Sequence, residues 1–156
     1  MTSRQSPAAP ARDGAHNEML AAGERNRRRI LGDAWVDKAL AARNPFNADF
    51  QDLITGHAWN DVWGRPGLDD RTRRYLVLAM MLGTRAYEEF TLHARAALDG
   101  PESSRLSPAD IKEVLLMAAV YCGVPVANHG FGLVSALLRE RGLADGAADV
   151  PDAARG

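Results

Sequence analysis

Cysteine is almost absent from this sequence, since Cys122 is the only one among 156 residues. A single cysteine excludes a disulfide framework, a CxxC redox pair and a cysteine-based zinc site within one chain. Its scarcity suits a reducing compartment, so we expect a cytoplasmic protein. Cys122 falls on the apolar face of a predicted helix, where a small buried core residue is the ordinary interpretation.

Neither sign of charge is in excess. The 19 Lys and Arg residues are matched by 20 Asp and Glu residues, and the formal net charge is −1. This balance provides no general electrostatic attraction to nucleic acid or to an acidic membrane surface. Long apolar runs are also missing: none reaches the roughly 18 residues of a membrane span, and the N-terminus has no apolar stretch of the signal-peptide type. We therefore expect no nucleic-acid partner and no membrane partner.

Alternating strand patterns and several common catalytic motifs are absent too. No glycine-rich phosphate loop follows a strand, and neither HExxH nor GxSxG occurs, so no metal site is predicted. Helical periodicity dominates between the two ends of the chain, which predicts an all-α fold. We expect a disordered leader over residues 1–17, a compact helical domain over 18–142 and a flexible tail over 143–156.

The helix boundaries follow from caps, breakers and apolar spacing. Asn47 is expected to cap the segment that follows it, and the residues 64–67 form a loop. One long helix with two apolar stripes is expected from about 70 to 98, either at the centre of the fold or at a subunit interface. Shorter helices are expected over about 18–31, 36–42 and 126–141.

A further helix has a strong start signal. Ser107 is a good N-cap, Pro108 suits the first helical position, and Asp110 can complete an approximate capping box. Gly123 and Pro125 are expected to end this helix.

Two histidines are candidates for acid–base chemistry. His93 lies four residues after Glu89, so the two side chains are neighbours on one helical face. A carboxylate beside an imidazole can orient the ring and raise its pKa, which suits a general acid or base. The alternative is an ordinary surface pair, which is common at this spacing. His129, at the start of the last helix, is the second candidate.

The candidate substrate-binding residues are polar or charged. Arg65 lies in a Gly/Pro loop after Trp63, where a guanidinium can clamp a carboxylate. Arg74 is a second candidate clamp, while most of the other arginines are expected to be solvated. The helical spacing places Glu113 beside apolar residues, which is unusual for a carboxylate. The alternative is an ordinary solvated side chain. Tyr121 completes this set.

Three blocks of the sequence resemble the 4-carboxymuconolactone decarboxylases of protocatechuate breakdown. These blocks are FNADFQDLITGHAWNDVWGRPGLDDRTR, EEFTLHARAA and DIKEVLLMAAVYCGVPVAN. The stretch RRRILGDAWVDKAL is similar to the opening helix of the family, so the resemblance covers about residues 23–138. It implies an all-α subunit of the carboxymuconolactone-decarboxylase and alkylhydroperoxidase-like type. It also implies assembly into a homo-oligomer, a trimer or a hexamer.

The sequence departs from these relatives at a few positions. Trp35 and Gly132 stand where the decarboxylases usually have histidine, and His129 lies one helical turn before Gly132. The wider superfamily includes alkylhydroperoxidase-like proteins, which carry a CxxC pair upstream of a helix histidine. The two cysteine positions are occupied here by Ala86 and Glu89. Thiol peroxidase chemistry is therefore excluded.

The resemblance implies cofactor-free conversion of 4-carboxymuconolactone to 3-oxoadipate enol-lactone in aromatic catabolism, the beta-ketoadipate pathway. The lactone is its own electron sink, so the protein needs carboxylate clamps, hydrogen-bond donors and a proton source. We hypothesise that His93 transfers the proton with Glu89 as its partner, that His129 substitutes for the missing histidine, and that Arg65 and Arg74 bind carboxylates. Two alternatives stay open: a related enzyme of specialised metabolism acting on a different lactone or polar ring, and a non-catalytic binding protein on the same scaffold.

Overall fold

The computed structural model describes residues 10–143, with side chains from residue 14 onward. Within this range the chain forms seven α-helices and one π-helix and contains no strand, which confirms the all-α prediction. The elements are α1 (Pro10–Leu31), α2 (Asp33–Ala41), α3 (Ala48–Ile54), a π-helix (Thr55–Val62), α4 (Asp70–Gly83), α5 (Tyr87–Asp99), α6 (Pro108–Tyr121) and α7 (Val124–Glu140).

The first helix begins earlier than the apolar pattern indicates. α1 starts at Pro10, so it includes residues 10–17 of the predicted leader. Proline is well suited to the first turn of a helix, because it has no N–H to leave unpaired there. The remaining leader residues and most of the predicted tail lie outside the described range.

The described chain divides into two compact units, residues 10–29 with 33–66 and residues 30–32 with 67–143. In the first unit α1 passes very close to the start of the π-helix. A Cβ on Gly23 would lie 2.1 Å from the Thr55 carbonyl oxygen, so only glycine fits at this crossing. Asn26 donates a hydrogen bond of 3.0 Å to the Trp59 carbonyl, and the rings of Trp59 and Trp63 stack with centroids 5.6 Å apart.

The second unit packs α4 to α7 around an apolar core. Gly130 allows the close approach of α7, because a Cβ there would lie 2.6 Å from a methyl carbon of Leu115 and 2.9 Å from one of Leu82. Cys122 is partly buried and packs against this core, as a small apolar residue would. The largest core side chains are Leu78, Leu82, Phe90, Leu106, Ile111, Leu115 and Leu137.

The prediction of one long helix over 70–98 was wrong. The chain forms two helices instead, because Arg85 adopts a left-handed conformation with φ of 59° between α4 and α5. Only one of the two predicted apolar stripes enters the core on α4: Leu78 and Leu82 are fully buried, whereas Leu76 is 42% exposed and Met80 is 59% exposed. The apolar spacing continues through the break, and so it did not reveal the break.

The predicted caps had mixed outcomes. Ser107 and Asp110 form the capping box, with the Ser107 hydroxyl accepting from the Asp110 N–H at 3.1 Å. Asn47 makes no side-chain cap to α3, because its Oδ1 accepts from the backbone N–H of Asn44 at 2.9 Å. Pro125 lies in the first turn of α7, so the chain turns between α6 and α7 at Gly123, whose φ is 100°.

Candidate active site

His93 lies on the middle of α5, in the second unit, and is partly buried. Burial is the main cause that lowers the pKa of His93, and the nearby positive charge of Arg74 lowers it further, to about 4. The ring is therefore neutral at pH 7, with one nitrogen that donates a hydrogen bond and one that accepts.

Glu89 influences His93 less than its spacing predicts. The carboxylate does raise the pKa of His93, as expected, but burial and Arg74 outweigh that contribution. Glu89 is exposed at the start of α5, and among the described residues no hydrogen bond joins it to His93. The expectation of a raised imidazole pKa was wrong, because the spacing along one helix cannot show what packs against its other side.

Arg74 is a buried cation on α4 that sequence reasoning recognised only as a possible clamp. Its side chain is 2% exposed, and Nη2 donates a hydrogen bond of 3.0 Å to the Ile30 carbonyl. The guanidinium lies against the end of α5, where a Cβ on Gly100 would come within 2.8 Å of Nη2. A cation near the last carbonyls of a helix is favourably placed with respect to the helix dipole.

His129 lies on the exposed side of α7 and contacts Tyr87. The two rings have centroids 4.2 Å apart and planes tilted by 48°. This contact joins the first turn of α5 to the second turn of α7, whereas His93 lies further along α5. Gly132 is exposed, and a Cβ there would meet no atom within 4 Å. The substitution of His129 for a histidine at position 132 stays a prediction.

The other predicted binding residues lie at the surface of their own units. Arg65 is an exposed residue of the loop that follows the π-helix in the first unit. Glu113 and Tyr121 lie on the outer side of α6, and Tyr121 is 78% exposed. The buried side of that helix carries Ile111, Val114, Leu115 and Ala118. Glu113 and Tyr121 therefore lie on the exposed side of α6, whereas Arg74 is buried within the second unit.

Arg27 is a buried arginine that sequence reasoning missed. Most arginines other than Arg65 and Arg74 are expected to be solvated, but the Arg27 side chain is only 4% exposed. Its neighbour Arg28 does face solvent and bonds to Glu24, Asp33 and Asp37. One signal in the sequence could have distinguished the buried Arg27 from the exposed Arg28. Arg27 lies one turn after Gly23, on the side of α1 that contacts the π-helix.

A cavity of about 380 Å³ in the first unit is lined by His16, Met19, Asp49, Asp52, Leu53, Gly56 and His57. Two bonds from Arg43 hold the Asp52 carboxylate, at 2.8 and 2.9 Å, and lower its pKa. Within residues 10–143 no group of three or more His, Cys, Asp or Glu side chains is arranged to hold a metal ion.

Comparison with known proteins identifies the family of this all-helical chain. The model of the carboxymuconolactone decarboxylase family matches residues 48–136, and the chain belongs to that family. The sequence has Ala86 and Glu89 upstream of His93, and Cys122 is its one cysteine, so it contains no CxxC thiol pair.

Curated relatives are named as decarboxylases. The chain is 39% identical over 113 residues to nitrosuccinic acid decarboxylase of Metarhizium robertsii, covering 72% of this chain and 76% of the relative. It is 31% identical over 118 residues to 4-carboxymuconolactone decarboxylase of Acinetobacter baylyi, covering 76% and 85%. A 40-residue match to 4-carboxymuconolactone decarboxylase of Pseudomonas putida is 52% identical and covers 26% and 83%. These names support carboxy-lyase activity for the chain.

No solved structure matches the chain at a significant level. Among the described helices, none combines the length and the apolar character that a bilayer crossing requires.

Proposed function

We propose that the protein decarboxylates a small organic acid whose own structure accepts the electron pair left behind by carbon dioxide. The observation that carries this proposal is the neutral, partly buried His93 beside the buried cation Arg74. A buried arginine favours the binding of a carboxylate, and a neighbouring imidazole can exchange a proton with the product carbanion.

Two substrates satisfy this description. In 4-carboxymuconolactone the electrons pass through a double bond to the lactone carbonyl, and the product after protonation is 3-oxoadipate enol-lactone. In nitrosuccinic acid the nitro group on the carboxyl-bearing carbon accepts them as a nitronate. Both reactions place the electron sink on the substrate, so neither requires a cofactor in principle.

Nitrosuccinic acid is the substrate that we favour. The relative named for it is 39% identical to this chain, against 31% for the Acinetobacter lactone decarboxylase over a similar length. Trp35 and Gly132 depart from the histidines that the lactone decarboxylases usually carry at those positions. This choice corresponds to the first alternative of the sequence analysis, a related enzyme of specialised metabolism, with a different acid as its substrate. The lactone is the second candidate because of the Acinetobacter and Pseudomonas relatives.

His93 is proposed as the proton-transfer residue and Arg74 as the charge that attracts the substrate. In the free protein burial, together with the charge of Arg74, keeps the imidazole unprotonated. A bound carboxylate offsets the positive charge of Arg74, which raises the pKa of His93 and lets the ring take up a proton. The protonated ring can then deliver that proton to carbon after carbon dioxide has left, with Glu89 stabilising the imidazolium.

The outer side of α6 is proposed as a contact between copies of the chain, in a trimer or a hexamer. It exposes a continuous apolar surface of the kind that marks protein interaction sites. Its members on α6 are Leu116, Met117, Val120 and Tyr121, and Val124 at the start of α7 is exposed as well. Assembly on this face would bury Glu113 and Tyr121 at an interface, where they could contribute to substrate binding. His129 and Tyr87 are proposed as further contacts to the substrate in the second unit, and Arg65 of the first unit stays a predicted carboxylate clamp.

The test is a direct assay of the purified protein with nitrosuccinic acid and with 4-carboxymuconolactone, following carbon dioxide release and the product by proton NMR. We expect turnover of nitrosuccinic acid and a fall of about 10²–10⁴-fold in His93→Ala, as for the loss of a general acid. His57→Ala is the matched control, because the His57 side chain is 82% exposed and belongs to the first unit.

Each outcome has a defined meaning. Turnover of the lactone but not of nitrosuccinic acid would make 4-carboxymuconolactone the favoured substrate. Binding of both acids without carbon dioxide release would favour a non-catalytic binding protein and overturn the proposal. His93→Ala activity within a few-fold of the unmodified protein would remove His93 from the mechanism.

A further inference from the structure

Arg27 is buried on α1 without an acidic partner among the described residues. Its side chain is 4% exposed, and burial lowers the pKa of its guanidinium, while the charge of Glu24 raises it. Glu24 does not bond to Arg27, because its carboxylate accepts from Arg28 at 2.9 Å. Removing a cation from water is costly when no counter-charge replaces the lost hydration.

One edge of this guanidinium is left without partners. Nη1 donates a hydrogen bond of 3.1 Å to Oε1 of Gln51, on α3. Nε is buried and makes no hydrogen bond, and none of the described residues accepts from Nη2. Nε and Nη2 form the edge of arginine that binds a carboxylate through two parallel hydrogen bonds.

Two neighbouring side chains suit a planar anion at that edge. Trp35, on α2, lies under the guanidinium, with the Arg27 Cζ 5.0 Å from the ring centroid. This contact orients the guanidinium plane through a cation–π interaction and presents an aromatic surface beside it. Gln51 uses its oxygen to accept from Arg27, so its amide NH2 remains a donor.

We propose that Arg27, Gln51 and Trp35 form a binding site for a small carboxylate, which docks on the Nε–Nη2 edge of Arg27. These three residues all belong to the first unit, whereas His93 and Arg74 belong to the second.

Three acids of the first unit are held by other arginines. The Asp52 carboxylate accepts two bonds from Arg43. Asp33 and Asp37 accept from Arg28. None of these three carboxylates bonds to Arg27.

The experiment uses succinate as an unreactive probe, followed by isothermal titration calorimetry and by the 15N–1H resonance of the Arg27 Nε group. We expect succinate to bind and to shift this resonance. Arg27→Gln should weaken binding about 10-fold to 100-fold, since bonds to a charged group are lost. Arg25→Gln removes the same charge from an exposed position of the same helix and should leave the affinity unchanged.

Arg27→Lys keeps the charge but lacks the two-donor edge, and it should also lose most of the affinity. If an Arg27 variant does not fold, the Nε resonance of the unmodified protein decides the question without it. An Arg27 resonance that stays unshifted at saturating succinate would overturn the proposal. An equal shift with sodium chloride at the same ionic strength would do so too, because it would show a general ionic effect. Succinate binding does not depend on turnover, so this outcome is separate from that of the decarboxylase assay.

Discussion

The Tyr75 hydroxyl donates a hydrogen bond of 2.7 Å to Oδ1 of Asp110 and so ties α4 to the first turn of α6. The other carboxylate oxygen accepts from Arg71 Nη2 and from the Ser107 backbone N–H, both at 2.7 Å. Burial raises the pKa of Asp110, but the hydrogen bonds from Ser107, Tyr75 and Arg71 together lower it to about 2. This carboxylate therefore caps one helix and crosslinks two.

Asp110→Asn should lower the free energy of unfolding by about 2 kcal/mol at pH 7, because charge-assisted bonds are lost. In the unmodified protein the contribution of Asp110 is complete above pH 4. It is lost as the pH falls from about 4 to about 2, since the pKa is lower in the folded state. Urea unfolding at several pH values measures both effects. Asp33→Asn is the control, because that side chain is 80% exposed. Equal losses in the two variants would contradict the role of Asp110.

His93 should also make the free energy of unfolding depend on pH, over a higher pH range than Asp110 does. Its folded-state pKa of about 4 lies below the ordinary value of 6.5, so the unfolded chain binds a proton first. The free energy of unfolding should therefore fall by up to about 3 kcal/mol as the pH drops from about 6.5 to about 4. His93→Gln should remove this decline and His57→Gln should retain it. NMR titration of the imidazole checks the pKa directly, and a midpoint near 6.5 would refute the account.

Gly100→Ala tests the placement of Arg74. The added methyl group would lie 2.8 Å from Arg74 Nη2 and 3.1 Å from the Ala96 carbonyl oxygen, so the guanidinium has to move. We expect a loss of about 1–3 kcal/mol in stability, lower decarboxylase activity and a higher pKa for His93, because the displaced charge acts on it less. Two-dimensional NMR and the pH profile of the reaction record the change.

The control for this substitution is Gly132→Ala, where the new methyl group meets no atom within 4 Å. Alanine on an exposed helical position should stabilise the protein by about 0.5–1 kcal/mol and leave the titration of His93 unaltered. If both variants shift that titration equally, the effect does not come from Arg74.

Val120→Glu tests the proposed contact on α6. Val120 is 75% exposed in the single chain, so a charge is tolerated there unless another subunit covers it. We expect the assembly to dissociate toward monomers in light scattering coupled to size exclusion, while the circular dichroism spectrum of the helices is retained. Lys112→Glu, an exposed change on the same helix, should leave the assembly intact. A monomeric unmodified protein would refute the interface.

The sequence predicts local features well where one stretch of chain determines them. The capping box of Ser107 and Asp110 uses residues three positions apart, so its spacing alone reveals it. The break at Arg85 could not be read in this way. Gly83 ends α4 two residues earlier, but a glycine within a helical pattern does not by itself predict a break, and the left-handed residue is Arg85 itself.

The candidate site was predicted only in part, for a related reason. Residue type identified His93 and Arg74, but the sign of the imidazole pKa shift depends on burial and on a cation from another helix. The burial of Arg27 depends on the side of α1 that it occupies, whereas its neighbours in the sequence do face water. Charge counts cannot separate a solvated arginine from a buried one.

The solitary thiol of Cys122 gives the protein a natural reporter group. Its Sγ lies just beyond the end of α6, 3.7 Å from where a Cβ on Gly83 would be, and the residue is partly buried, so a bulky reagent should reach it less readily than a fully exposed thiol. The rate at which an aromatic disulfide reagent labels this one sulfur therefore reports how often the adjoining ends of α4 and α6 open locally. Because the chain contains no other cysteine, the signal needs no mutagenesis to assign.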